Sequence, residues 1–189
     1  MLYDWNLRQF FAKLVPSHEL ELFLRDVVNL EWHSQHDAGR PFAETSAELT
    51  AAWPRFAEAI AAFGPRFSDT VTGLLPGMAE IVRALHERSV QLYAITNFSH
   101  EFWPPFRARE AAIFDLFDDI VVSGEERLLK PEREIYERAL KRFGLAPEEA
   151  IFIDDRDDNV RGAEALGIKG HVFRGAAPLR AELETLGLL

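Results

Sequence analysis

Along the first third of the chain, apolar residues recur at helical spacing. Leu20, Phe23, Leu24, Val27 and Val28 fall three and four positions apart and form one buried stripe. Ser17 fits the N-cap of that helix, with Glu19 in its first turn. Residues 45–63 read as further helix, interrupted where Pro54 follows Trp53. Between the two, His36 to Pro41 reads as a loop because of Gly39 and Pro41. From Leu75 onward, short apolar runs alternate with amphipathic segments. The spacing predicts helices over 76–87, 105–114, 131–143, 159–166 and 178–186, and strands over 90–95, 120–122, 150–153 and 170–173. Pro131 suits a helix start and Gly167 a helix end. Strands that alternate with helices and are apolar on both faces predict an α/β fold, its parallel sheet covered on both sides. Ligands of such sheets bind at the carboxyl ends of the strands.

Composition narrows the choice of partner. A chain of 189 residues is long enough for one sizeable core, or for a core with a smaller inserted lobe. Its formal net charge of -10 argues against nucleic acid, whose phosphates are bound by an excess of Lys and Arg. With no cysteine, disulfides, thiolate metal sites and a cysteine nucleophile are excluded. No apolar run approaches the ~20 residues that span a bilayer. The opening residues carry no signal-peptide pattern, so the sequence reads as a cytoplasmic protein with no membrane partner.

The strand ends carry the candidate chemistry. The run from Val90 ends in Thr96-Asn97, and the apolar run Ala150 to Ile153 ends in Asp154-Asp155. Ser123-Gly124 follows the short strand at 120–122, and Lys130-Pro131 comes a few residues later. A hydroxyl with an amide, a cation and a carboxylate pair thus stand at three strand ends. Two adjacent carboxylates repel when both are ionised, unless a cation sits between them. A hard divalent ion such as Mg²⁺ binds oxygen ligands of this kind and neutralises a phosphoryl group. Lys130 and the Thr96 hydroxyl suit the same charge. Taken singly, each has a plainer reading: Asp and Asn are turn residues, and a lone lysine is usually solvated. Their common position at strand ends is what favours a site. His33 and His36 share a helix face with Asp37 nearby, but no third ligand at metal spacing accompanies them, and they read as structural. Arg40 in the following loop is a candidate for substrate selection, and Phe102 to Phe106 for a pocket wall.

Together these residues resemble the haloacid dehalogenase (HAD) superfamily. Val90 to Asn97 looks like its second motif, a strand ending in Ser or Thr. Ser123 to Pro131 looks like the third, with a lysine before proline. Ile151 to Asp155, followed by Asn159 to Ala163, looks like the acidic fourth motif. The resemblance implies a Rossmann-like core over residues 1–8 and 74–189, with an all-helical cap inserted over 9–73. It implies that Thr96 binds phosphate with Asn97 beside it, that Lys130 stabilises the nucleophile and the phosphoryl group, and that Asp155 ligates Mg²⁺ with help from Asp154. The substrate implied is a small phosphorylated metabolite, hydrolysed through an aspartyl-phosphate.

The family's first motif, an apolar strand ending in the attacking aspartate, has no counterpart here. Met1 to Trp5 resembles the segment that follows that strand. Asp4 has only three residues before it, too few for a buried strand, and is expected on an exposed hairpin. The nucleophile strand is therefore expected upstream of residue 1, and the chain as given is expected to be inactive. Loss of a central strand leaves unpaired backbone on two neighbours. Two other readings stay open: a metal-independent 2-haloacid dehalogenase, which the acidic pair argues against, and a non-catalytic binding protein.

Overall fold

A computed structural model describes residues 2–189. The chain opens in β1 (Tyr3–Trp5) and passes through α1 (Leu7–Phe11), α2 (Leu20–Leu22), α3 (Leu30–Asp37), α4 (Phe42–Ala52) and α5 (Ala57–Phe63) before returning in β2 (Val71–Leu74). β1 and β2 pair antiparallel, Tyr3 opposite Leu74 and Trp5 opposite Val71. The helical lobe therefore leaves and re-enters through one two-stranded stem. Asp4 lies on this stem, exposed, with Thr72 Oγ1 2.5 Å from its Oδ2.

The helix expected around Leu20 continues past Leu22 as a π-helical turn over Phe23–Val27, which still buries Phe23 and Val27. Ser17 does not cap the helix at Leu20, where Glu19 holds the N-cap position and no side chain bonds the helix end; the next helix, α3, is capped by Asn29, whose side chain accepts from Trp32 N at 2.8 Å. The break foreseen at Pro54 falls between α4 and α5, where Pro54–Phe56 forms a 3₁₀ turn. The lobe is held by rings. Phe11 packs edge-on against Phe23 at 4.8 Å and stacks with Phe63 at 5.9 Å. Phe67 stacks on Phe102 at 4.8 Å. The cluster runs on through Trp103, Phe106, Phe114 and Val122, so lobe and core share one apolar interior.

The rest alternates strand and helix: α6 (Met78–Glu87), β3 (Tyr93–Thr96), α7 (Trp103–Arg109), α8 (Ala111–Phe114), β4 (Asp119–Val122), α9 (Ser123–Glu126), α10 (Arg133–Phe143), β5 (Ile151–Asp154), α11 (Asp157–Glu164), β6 (Lys169–Val172) and α12 (Ala176–Thr185). α10 starts two residues later than Pro131 predicts, because residues 129–132 close a turn of their own. Glu132 N donates to Leu129 O at 2.7 Å, and Leu129 N to Glu132 Oε2 at 3.2 Å.

The expected parallel sheet is present as two parallel pairs. β3 pairs with β4, Tyr93 opposite Asp119 through Thr96 opposite Val122. β5 pairs with β6, Ile151 opposite Lys169 through Asp154 opposite Val172. Among the described residues no ladder joins β3 to β5. Helices cover both faces of both pairs. On one face Met78, Ile81, Leu85, Leu179 and Leu183 pack with Leu92 and Ile153. On the other Ile135, Tyr136, Ala139 and Ala163 pack with Ile95, Val121 and Phe152.

Candidate active site

The ends of β3 and β5 are joined by one loop. Asn97, just past β3, clamps the backbone of Lys130: its Nδ2 donates to Lys130 O at 3.1 Å, and Lys130 N donates to its Oδ1 at 2.9 Å. Held this way, with a cis peptide bond to Pro131, Lys130 reaches across to β5. Its Nζ donates to Asp154 Oδ2 at 2.7 Å, the two side chains being 10% and 5% exposed. The other oxygen, Asp154 Oδ1, accepts from Arg156 N and from Asn159 Nδ2, both at 3.0 Å. Burial pushes the Asp154 carboxyl up, but the Lys130 ammonium and these hydrogen bonds outweigh it and hold the group below the usual carboxylate range. Asp154 is therefore ionised at neutral pH.

Of the residues singled out in the sequence, Asn97, Lys130 and Asp154 are thus brought together directly. Thr96 ends the β3–β4 ladder beside them, half-buried. Asp155, next along the chain, is exposed, and its backbone carbonyl accepts from Arg174 Nη1 at 2.9 Å. Gly162 lets α11 approach this loop: a Cβ there would stand 2.9 Å from Pro131 O and 3.0 Å from the Tyr136 ring. Tyr136 in turn donates to Asn159 O at 2.8 Å. Asn159 itself is buried, and its Oδ1 has no partner.

Three contributors had been passed over. Asn159 stood in the quoted acidic motif without a role, yet it holds Asp154. Ser123 stood at the head of the lysine motif, and its hydroxyl is a joint. It accepts from Phe98 N at 2.9 Å and donates to Asp37 O at 2.7 Å, tying β3, β4 and α3 together. The third is Asp37, a carboxyl 8% exposed at the end of α3. Burial pushes it up to about 7, against the pull of the Lys130 charge. His33 Nε2 lies 3.6 Å from its Oδ2, beyond hydrogen-bond reach. That imidazole is itself driven down to about 3 by burial and by its neighbour His36, so it is neutral and gives Asp37 no ion pair. His36 Nε2 lies 2.6 Å from Thr45 Oγ1. The histidines are thus part of the lobe's interior, as their spacing suggested. Arg40 engages Glu48 and Gln35 on the surface. A cavity of about 280 Å³ opens beside the Ser123 joint, lined by Gly39, Pro41, His100, Gly124, Glu125 and Arg127; it does not reach Lys130 or Asp154.

The order of these parts along the chain is matched by a known family: residues 7–167 fit the model of the haloacid dehalogenase-like hydrolases. The chain belongs to that family. Within it, the chain is 36% identical over 93 residues to the sesquiterpene phosphatase of Aspergillus oryzae, covering 49% of this chain and 47% of the relative. It is 30% identical over 95 residues to the glyceraldehyde 3-phosphate phosphatase of Methanopyrus kandleri, covering 49% and 40%. The chain thus spans less than half the length of these curated relatives. In fold it is similar to a HAD family enzyme from Bacteroides thetaiotaomicron solved with magnesium and inorganic phosphate. The TM-score is 0.69 at 19% identity, over 92% of this chain and 89% of that one.

Proposed function

We propose that the cluster at the ends of β3 and β5 is the phosphate-handling half of a magnesium-dependent phosphatase acting on a small phosphorylated metabolite. The observation that carries this reading is the buried Lys130–Asp154 pair, its lysine clamped by Asn97 at 2.9 and 3.1 Å. A fixed ammonium at a strand end draws in a phosphate monoester and stabilises charge on its oxygens in the transition state. Thr96 donates its hydroxyl to a phosphate oxygen, and Asn97 positions the lysine. The helical stretch over 9–73 serves as a cap that selects the organic part of the substrate. The phosphatases among the chain's relatives support the same class.

Magnesium fits the donor set. Asp155 is the exposed acid of the pair and the one suited to ligate the ion, with Asp154, kept ionised beside Lys130, adding negative charge at the same strand end. Mg²⁺ is commonly held by one or two carboxylates, with water and substrate phosphate completing the shell. When bound it neutralises the phosphoryl oxygens. The attacking group in this reading is a carboxylate. Its oxygen bonds to phosphorus as the ester oxygen leaves and takes up a proton; water then cleaves the acyl phosphate, releasing phosphate and restoring the carboxylate. Asp154 is committed to Lys130, Asp155 to the cation, and Asp4 to Thr72 on the stem. None of them fills the attacking role, so the chain alone is expected to bind phosphate without turnover.

Phosphate release from an aryl phosphate tests this, with and without Mg²⁺, for the chain alone and for a version carrying an apolar segment ending in Asp before residue 1. Release is expected only from the second, and only with magnesium. Metal-independent halide release from 2-chloropropionate would replace the reading with a dehalogenase. Turnover by the chain alone that disappears in Asp4→Asn would overturn the placement of the attacking group. Phosphate binding with no turnover from either folded version would leave a binding protein.

A further inference from the structure

Lobe and core meet at two glycines. Gly39, at φ 89° after α3, has its Cβ position 2.8 Å from Gly124 O, and a Cβ on Gly124 would stand 2.5 Å from His100 N. Neither position has room for a side chain, so the two backbones touch. The lobe is tied down again a few residues on, where Phe42 N at the start of α4 donates to Glu101 Oε2 at 2.7 Å. Beside this seam opens the cavity of about 280 Å³, lined by Gly39 and Pro41 from the lobe and by His100, Gly124, Glu125 and Arg127 from the core. At ~30 Å³ per water molecule this is room for about nine waters, or for one organic molecule of about as many heavy atoms.

The charged side chains of the cavity are left open. Of the two acids on α9, Glu126 pairs with Arg138 at 2.9 Å and lies 3.6 Å from Arg142. Glu125 makes neither a hydrogen bond nor an ion pair among the described residues. Arg142, bound to Asp119 at 2.7 Å, acts on it only through space. Arg127 ends α9 in the left-handed region at φ 56°, and its Cγ lies 3.2 Å from where a Gly39 Cβ would stand. Its stem thus runs over the lobe, and its guanidinium has no carboxylate partner, although Glu125 lines the same wall. The His100 ring beside them has no hydrogen bond at Nδ1. An arginine and a glutamate that share one small cavity without pairing leave a positive and a negative point open at once. A lone anion suits Arg127 but is opposed by Glu125 and by the chain's net charge of -10. A lone cation suits Glu125 but is opposed by Arg127. A molecule carrying both charges satisfies both.

We infer that the cavity at the Gly39–Gly124 seam is a binding site for a small zwitterion, a molecule of amino-acid size with a carboxylate for Arg127 and an ammonium for Glu125. The carboxylate lies on the guanidinium as a forked pair, and the ammonium on the Glu125 carboxylate. The carbon skeleton rests against the Pro41 ring, and His100 offers a further hydrogen bond. Because Gly39 and Pro41 belong to the lobe and the other four residues to the core, the occupant touches both. Glu125 and Arg127 are exposed, so both contacts are screened and the affinity falls near a Kd of about 1 mM. The cavity does not reach Lys130 or Asp154, so the inference stands apart from the phosphatase reading, and occupancy is observed without turnover.

Titration of the full chain with L-alanine, followed by the backbone amide resonances in NMR, tests it without magnesium or phosphate. The amides of Gly39 on the lobe and of Gly124 and Arg127 on the core are expected to shift together and to saturate, with a midpoint of about 1 mM. Propionate and ethylamine, which carry one charge each, are expected to bind about tenfold more weakly. Arg127→Gln and Glu125→Gln, both at exposed positions, are each expected to weaken alanine about tenfold and to leave the thermal melt unchanged. Shifts that grow in proportion to alanine without saturating overturn the site. Propionate binding as tightly as alanine overturns the zwitterion and leaves an anion site. Saturation that neither substitution weakens places the ligand elsewhere and overturns the assignment, as do shifts confined to one side of the seam.

Discussion

In the helical lobe Phe11, Phe23, Ile60 and Phe63 are shut off from solvent, and Phe11 packs ring against ring with Phe23 and Phe63. In the strand layer Tyr93–Thr96 is half-buried along its whole length, and β5 is little better. Both regions are rich in apolar residues, so composition does not explain the difference. A helix meets its backbone hydrogen-bond needs within itself and asks its surroundings only to cover one face. A strand needs two neighbours as well as two covered faces. The lobe's helices therefore need only covering, which their own rings and those of the core supply, whereas each strand is complete only on the side where a partner stands.

Truncation breaks this contrast most directly. Phe63→Ala is expected to cost roughly 3–5 kcal/mol in chemical denaturation, and Ile95→Ala on the inner strand well under half of that. Equal costs would mean that the strand layer is as tightly closed as the lobe. Lys130→Met comes next, at about 3 kcal/mol, because it leaves Asp154 charged, buried and short of its cation. The Asp154 pKa is depressed in the folded protein, so its contribution is present above the usual carboxylate range and lost as pH falls through the folded value. The gap between wild type and Lys130→Met should therefore close in acid; a gap that persists there would assign the loss to packing of the lysine stem.

Asp37 has the opposite sign. Its pKa is raised to about 7, so between pH 4 and 7 the folded state holds more protons than the unfolded, and stability falls as pH rises. Asp37→Asn is expected to be more stable than wild type at pH 8, on the order of 1–3 kcal/mol, with no advantage at pH 4. Thermal melts across that range decide it, and a pH-independent difference would show that Asp37 does not titrate in the fold. The smallest effect belongs to Ser123→Ala, about 1–2 kcal/mol from the loss of its bonds to Asp37 O and Phe98 N. A null result there would separate lobe from core more cleanly than the shared ring cluster implies.

Much of this architecture is readable along the chain because it is local. The stripe from Leu20 to Val28, the break at Pro54 and the alternation after Leu75 each depend on residues a few positions apart. The polar residues at the ends of β3 and β5 were legible for the same reason: an apolar run that stops at Asn97 or Asp154 announces its end. The roles of those residues were less so. Asn97 acts on the backbone of a residue 33 positions away, and Ser123 on one 86 positions away. Nothing in local spacing distinguishes such a clamp from a turn. Asn159 is five residues from Asp154 and was within reach, since a helix start directly after a strand brings its first turn back to the strand end. The division of the sheet into two pairs is a matter of long-range pairing, which local spacing does not encode.

The Ser123 hydroxyl has a thermodynamic consequence for the lobe. One oxygen serves a donor at the end of β3 and an acceptor at the end of α3, while Gly124 beside it leaves no room for a Cβ, 2.5 Å from His100 N. Lifting α3 away from the core leaves that hydroxyl with one fewer partner and frees the segment that follows Asn97. Opening of the lobe and ordering of the loop that clamps Lys130 are thus linked equilibria: a ligand that tightens one tightens the other, and by reciprocity an occupant of the lobe is sensed at the lysine.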